Sequence, residues 1–244
     1  MPITGRVSVL RAFAFFAIVW TSGCYDYDDA GSSSVTLTGQ ITEFDPDSQG
    51  PRAPLADVEI CQFASFNCAF TNANGEYTLE LLQNRNVELS IVKKGFGSVL
   101  IARFSGTEDL TGDAILATDA VLSDLASEIG AVYPPESSGS LAIVTFQGAI
   151  ADRNPLAGVS YALLGSNGRS FYVNDAGVLE TSLTETQALG AGGFVELAPV
   201  IVTLQLSGAG VNCTSERPWS AAASNAFMLP IRVGFTTQCA ISCE

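Results

Sequence analysis

The chain of 244 residues contains no histidine and only 11 basic residues, against 25 acidic ones. Without histidine it cannot form a Ser-His-Asp triad, a Cys-His pair or a histidine-ligated zinc site. Its only lysines, Lys93 and Lys94, are neighbours, and no Ser-x-x-Lys pattern occurs. A net charge of -14 argues against nucleic-acid binding, because most of the surface would repel phosphate. We therefore expect a protein that is not an enzyme and that has no cofactor, no metal and no nucleic-acid partner.

Hydrophobic residues make up 47% of the chain, too many for a disordered protein, and one apolar run lies near the N-terminus. Residues 12–20 (AFAFFAIVW) follow Arg6 and Arg11, and the small residues 21–23 come next. Nine apolar residues are too few for a transmembrane helix, which needs about 20. A basic start, a short apolar segment and a small-residue site predict a secretory signal peptide over residues 1–23.

The residues Ser22-Gly23-Cys24 resemble the lipobox of bacterial lipoproteins, with Thr21 where that family usually has an aliphatic residue. The resemblance implies that Cys24 becomes the lipid-modified N-terminus of the mature protein. The alternative is an ordinary secreted protein in which Cys24 forms a disulfide. Residues 24–34 are acidic, then small and polar, which predicts a flexible tether.

Removal of residues 1–23, which carry two basic and no acidic side chains, changes the net charge from -14 to -16. Anionic lipid would repel such a body, so we expect the lipid anchor to provide the membrane attachment. The predicted location is outside the cytoplasm, anchored to the bacterial cell envelope at the outer membrane or the cell surface.

Beyond residue 34, apolar and polar residues alternate as in half-buried strands. The clearest runs are Tyr77-Leu79-Leu81 and Val87-Leu89-Ile91, and clusters of Gly, Asn, Asp and Pro separate such runs. The pattern predicts an all-β chain of two tandem immunoglobulin- or transthyretin-like antiparallel β-sandwiches with one short intervening helix. That helix is predicted over 120–129, with Asp119 as N-cap and Gly130 as its end.

An internal repeat supports the tandem arrangement. PLADV at residues 54–58 recurs as PLAGV at 155–159. TNANG at 71–75 follows the first copy, and VNDAG at 173–177 follows the second at nearly the same distance. The repeat predicts a first β-sandwich domain over 35–105, a helical insert and linker over 106–139, and a second, divergent β-sandwich over 140–244.

The segments PLADV, TNANGEYTLEL and VELSIVKKGF together resemble a carboxypeptidase regulatory-like domain, a small transthyretin-like sandwich of the prealbumin and Cna-B type. The resemblance covers residues 35–103 well and 141–236 more loosely. It implies a module without catalytic activity of its own. Some Cna-B relatives form an intramolecular isopeptide bond from a lysine in the first strand, but the first strands predicted here, 35–42 and 141–150, contain no lysine.

Five cysteines remain after Cys24, and export favours disulfides between them. Cys61 and Cys68 flank a short loop, so we predict a local bridge between them. Cys213 has two candidate partners, Cys239 and Cys243. The remaining thiol is free or intermolecular.

Two further patterns could bind ligands. Aromatic side chains crowd the first predicted domain at Phe63, Phe66, Phe70 and Tyr77, where core packing is the more common role. Trp219 lies in a proline-containing loop, so we expect it to be exposed and to be the better candidate platform for a ligand. Residues 45–50 imitate the start of a calcium loop, but the required glutamate at its twelfth position is replaced by Ala56, and a hairpin turn explains the same residues.

The sequence therefore predicts a non-enzymatic, lipid-anchored cell-envelope protein that acts as a binding, adhesive or spacer module. Its expected partners are the membrane, through the anchor, and an envelope protein or glycan. The alternative is a carbohydrate- or small-ligand-binding accessory lipoprotein of an envelope complex.

Overall fold

Alternating apolar residues form strands that bury one face, as the sequence pattern predicts. A computed structural model describes residues 33–44, 52–149, 152, 154–208, 212–215, 218–219 and 225–244. These described residues belong to one compact unit, Ser32–Glu244. None of their helices is long and apolar enough to cross a membrane.

The first lobe is a sandwich of two sheets. Its strands are β1 (Ser34–Glu43), β2 (Glu59–Gln62), β3 (Cys68–Phe70), β4 (Glu76–Leu82), β5 (Asn86–Val92), β6 (Ser98–Phe104), β7 (Leu110–Thr111) and β8 (Ala114–Leu116). One sheet has the order β4-β1-β7, with β8 also paired to β1, and the facing strands have the order β6-β5-β2-β3. Leu37 of β1 and Ile91 of β5 are fully buried in the core between the two layers.

A single helix, α1 (Asp119–Glu128), follows the first lobe, one residue from its predicted position. Its N-cap is Thr118 and not the predicted Asp119, because Thr118 Oγ1 accepts a hydrogen bond from the Val121 N–H (3.3 Å). The Asp119 carboxylate instead accepts a hydrogen bond from the Tyr133 hydroxyl (2.7 Å). Gly130 adopts φ 63° just after the helix, which is the left-handed conformation expected of its end.

The second lobe forms another sandwich. Its strands are β9 (Gly139–Gln147), β10 (Ser160–Leu164), β11 (Arg169–Val173), β12 (Leu179–Glu180), β13 (Ala191–Leu197), β14 (Ile201–Ser207), β15 (Cys213–Ser215), β16 (Ala226–Pro230) and β17 (Phe235–Cys243). The sheet β10-β14-β16 faces β9, β11, β13 and β17 across a second core that includes Leu141 and Leu204. The predicted fold class is confirmed: the chain has an all-β, two-sandwich architecture with one intervening helix.

The two lobes share one ten-stranded sheet, ordered β12-β11-β13-β9-β17-β6-β5-β2-β3 with β15 paired to β17. The last strand, β17, lies parallel to β9 of its own lobe and parallel to β6 of the first lobe. Backbone hydrogen bonds therefore cross from one lobe to the other. The division into domains at 35–105, 106–139 and 140–244 stays a prediction, and the sheet runs across its boundaries.

The strand pairing repeats between the lobes. β1 pairs antiparallel with β4 and parallel with β7 and β8, and β9 pairs antiparallel with β13 and parallel with β17. The series β2-β5-β6 is matched by β10-β14-β16. The strand before each repeated motif also forms the same isolated bridge, Thr42 to Pro54 and Phe146 to Pro155.

The structure corrects the second marker of the sequence repeat. Thr71 Oγ1 accepts a hydrogen bond from the Val58 N–H (2.9 Å) and donates to the Leu55 carbonyl (2.6 Å). In the second lobe the same two bonds are made by Thr186, to Val159 (3.0 Å) and Leu156 (2.8 Å). The counterpart of TNANG is therefore TQALG at 186–190, not VNDAG at 173–177.

The VNDAG segment forms the turn of an additional hairpin, β11–β12, inserted in the second lobe. In this turn the Asn174 N–H donates to the Val178 carbonyl, and in the first lobe the Asn72 N–H donates to the Glu76 carbonyl in the same way. Both turns use an asparagine followed three residues later by a glycine with positive φ. The two turns use the same residue types although they lie at different places in the two lobes. The similar distance from each proline motif to its turn therefore does not mark equivalent positions.

Candidate functional site

The predicted local disulfide is confirmed. Cys61 on β2 and Cys68 on β3 lie directly opposite each other and are bonded (S–S 2.07 Å). Glu59 lies close enough to both sulfurs to make this the one group of metal-ligand side chains found among the described residues. Because the disulfide uses both sulfurs, no thiolate is left there to bind a metal.

Cys213 is bonded to Cys243, which decides between the two predicted partners. The two cysteines are register partners on β15 and β17, whereas Cys239 lies four residues earlier on β17, about 13 Å along the strand. Cys239 is the free thiol among the described cysteines. Burial raises its pKa to about 12, so it stays protonated and unreactive at neutral pH.

Trp219 is buried, which corrects the expectation that it is an exposed ligand platform. Its side chain is 8% exposed, and its indole N–H donates to the Val87 carbonyl on β5 of the first lobe (3.2 Å). Burial of the large apolar ring, together with satisfaction of its one polar atom, favours this position over exposure. The indole joins the lobes and does not present a face for stacking a sugar.

An ion pair lies beside the same strand. Arg232 of the second lobe donates two hydrogen bonds to the Glu88 carboxylate, from Nε (2.9 Å) and Nη2 (2.6 Å). Its guanidinium also lies 5.4 Å from the centre of the Phe63 ring, which contacts Phe235 edge-on. These groups, with Trp219 and Val87, form what we call the lobe interface. Arg232 and Glu88 are 144 residues apart, so no local sequence pattern indicates their pairing.

A shallow depression of about 530 Å³ lies beside α1. Phe96 and Tyr133 supply aromatic surface to it and Ser98, Asp119 and Ser123 supply polar groups, with Ala120, Pro134 and Gly234 completing the lining. The pKa of Tyr133 is raised, chiefly by burial. The hydrogen bond to Asp119 and the negative charge of that carboxylate raise it further. The phenol therefore remains protonated and keeps donating to Asp119.

The aromatic residues of the first lobe divide between packing and exposure. Tyr77 is buried, and Phe63 belongs to the lobe interface. Phe66 is fully exposed and Phe70 is 63% exposed.

Lys93 donates to the Ala56 carbonyl (2.7 Å) and is therefore a structural group. Cys24 and residues 45–50 lie outside the described residues.

No protein-family model matches this chain, and no curated protein does. Among solved structures, it is similar to GBS52, the minor pilin of Streptococcus agalactiae (16% identity, TM-score 0.29, covering 86% of this chain and 95% of that one). It is also similar to the shaft pilin SpaA of Lactobacillus rhamnosus GG (11% identity, TM-score 0.25, 87% and 98% covered). A third similarity is to a chain of a cohesin–X-dockerin complex from Acetivibrio cellulolyticus (17% identity, TM-score 0.31, 42% and 76% covered).

We assign no activity or partner to this chain from these similarities. Its resemblance to carboxypeptidase regulatory-like domains stays a prediction, as do the signal peptide and the lipid on Cys24.

Proposed function

We propose that this protein is a non-enzymatic, lipid-anchored module of the bacterial cell envelope that acts as a spacer or adhesive body. The lipid on Cys24 would attach it to the outer membrane or the cell surface. The two fused lobes would then present a firm surface to an envelope protein or glycan.

The observation that carries this proposal is the sheet shared by both lobes. Eight register pairs join β17 to β9, and four join it to β6. Trp219 and the Arg232–Glu88 ion pair add side-chain bonds at the same boundary. Bending one lobe against the other would break these hydrogen bonds, so the body should transmit force and keep a fixed length. Those properties suit a spacer or an adhesive module.

We expect Cys24→Ser to lose fatty-acid labelling and to release the protein from the membrane fraction. The acyl chains are the proposed attachment, and no helix in the part of the chain that the structure describes could span a membrane in their place. The measurement is metabolic labelling with an alkyne fatty acid, cell fractionation and the intact mass of the N-terminal peptide.

Cys239→Ser is the matched control, because it removes the partly buried free thiol and should leave labelling and location unchanged. A wild-type mature chain that carries no acyl mass would contradict the proposed anchor.

A second function, glycan or small-ligand binding, is favoured by the depression beside α1. Its mixture of Phe96 and Tyr133 with serine hydroxyls and Asp119 suits a polyhydroxylated ligand. We expect Ser123→Trp to fill the depression and to weaken binding of a glycan identified on a panel by at least about tenfold. Phe66→Ser, which removes an exposed aromatic on β2–β3, should leave that affinity unchanged. Absence of binding to the whole panel would exclude glycans as ligands.

A further inference from the structure

The β2–β3 hairpin presents a fully exposed phenylalanine on a fixed turn. The Cys61–Cys68 disulfide closes its base. Within the turn, the Gln62 N–H donates to the Asn67 carbonyl (2.9 Å) and the Ser65 hydroxyl donates to the Gln62 carbonyl (2.8 Å). Phe66 projects from this turn with its whole side chain in solvent. A large apolar side chain exposed on an ordered support is suited to contact another surface.

This hairpin tip lies at the end of the first lobe where the chain enters, which we call the entry end. The Asn67 side chain donates to the Glu80 carbonyl on β4 (2.7 Å). Glu80 is the register partner of Thr36, three residues after Ser33. At about 3.3 Å per residue, the tip is therefore within about 10 Å of the chain entry, measured along β1. Leu82, the partner of Ser34, adds a second exposed apolar side chain at this end.

The proposed anchor limits how far the entry end can move from the bilayer. Nine peptide units join Cys24 to Ser33, and at about 3.5 Å each they span at most about 30 Å. The ten residues of β1 place the opposite end of the lobe about 30 Å further along the strand direction. Of the two ends, the one bearing Phe66 is therefore the one that the anchor keeps nearer to the lipid.

The charges at the entry end indicate which lipid it can meet. Residues 62–67 of the hairpin carry no charged side chain. Asp109 lies at the same end, where it accepts a hydrogen bond from the Thr36 N–H (2.8 Å), and the exposed Arg85 follows β4. With so acidic a chain, headgroups of net negative charge would oppose the contact, whereas neutral headgroups would not.

We propose that Phe66 inserts into the interfacial region of a bilayer with neutral headgroups, so that the anchored protein has a second, non-covalent membrane contact and a fixed orientation. This inference rests on the proposed lipidation of Cys24. One phenylalanine is too weak to attach the protein by itself, but the anchor makes its insertion an intramolecular step with a high effective concentration. The disulfide and the hydrogen bonds of the turn hold the backbone that carries Phe66, so little backbone entropy is lost on insertion.

The test uses the mature, acylated protein, which begins at Cys24, in phosphatidylcholine vesicles with or without brominated acyl chains. Phe66→Trp places a fluorescent reporter at the tip, and the wild-type signal from buried Trp219 is subtracted. We expect brominated lipid to quench the added emission by about twofold or more. Bromine quenches an indole only at contact distance, so quenching requires the introduced ring to reach the acyl chains below the headgroups. Replacing a third of the neutral lipid by phosphatidylglycerol should reduce this quenching.

Ala73→Trp is the matched control, because Ala73 is also exposed but lies in the turn just before β4. The register partner of Glu76 there is Gln40, at the end of β1 opposite to the chain entry. Its emission should not be quenched. If acylated Phe66→Trp protein floats with the vesicles but its emission is not quenched, this inference alone is overturned. The same holds if the emission shift depends only on protein concentration, because Phe66 then contacts a second copy of the protein and not the lipid. A chain without acyl mass overturns the anchor and this inference together.

Discussion

Replacing Trp219 with alanine is expected to lower the free energy of unfolding by about 3–5 kcal/mol, the usual cost of removing a large buried aromatic side chain. The indole is 8% exposed, and its N–H bonds to the Val87 carbonyl. Alanine would leave a cavity between the lobes and remove the partner of that carbonyl. The measurement is equilibrium unfolding in urea, followed by far-ultraviolet circular dichroism with the disulfides intact.

Trp219→Phe separates packing from hydrogen bonding. It keeps most of the apolar surface and loses only the N–H, so we expect a cost of about 1 kcal/mol. If the alanine variant is as stable as the wild type, Trp219 does not join the lobes, and its earlier interpretation as a surface for ligands regains support. The alanine variant should also unfold the lobes less cooperatively, because the boundary between them is weakened.

Replacing Gly193 with alanine is expected to cost more than about 4 kcal/mol and to prevent accumulation of folded protein. A Cβ at this position of β13 would lie 2.0 Å from the Leu141 carbonyl oxygen on β9 and 3.0 Å from the Phe171 ring. The nearest atom belongs to the backbone of a central strand of the shared sheet, so it cannot move without breaking the pairing of β9. The measurement is the yield of soluble protein after export, with the urea midpoint of whatever folds.

Gly177→Ala is the matched control for this prediction. Gly177 has φ 83°, but a Cβ there would meet no atom within 4 Å. Only the conformational penalty applies, about 1–2 kcal/mol, so this variant should still fold. Equal yields from the two alanine variants would contradict the close approach of β13 and β9.

Much of the first lobe could be predicted because its signals are local. Strands β4 and β5 follow from alternation over seven residues each, and the helix follows from its spacing and its flanking residues. The Cys61–Cys68 bridge is also local, because a hairpin of this length brings the two residues opposite each other. In each case the interacting residues are close in the chain, so their spacing contains the geometry.

The second lobe shows where such reasoning fails. The 173–177 segment has the turn chemistry of TNANG but belongs to an inserted hairpin, whereas the true counterpart at 186–190 keeps its threonine, its alanine and its glycine. The threonine and the glycine also keep the same structural position. Gly75 and Gly190 both lie against the backbone of the repeated proline–leucine motif, where a Cβ would come within 2.5 Å of the carbonyl of Ile41 or Thr145. Comparison of TNANG with TQALG could have found this match in the sequence.

By itself, the sequence determined the all-β class, the turns, the helix and the first disulfide, because these depend on interactions within a few residues. Only the tertiary structure decided the partner of Cys213, the burial of Trp219 and the ion pair of Arg232 with Glu88. All three depend on where the last strand lies. β17 enters between β6 and β9, and its register brings Cys243 opposite Cys213. Strands 90 or more residues apart carry no sequence pattern that specifies their order, because backbone hydrogen bonds are the same for every residue pair.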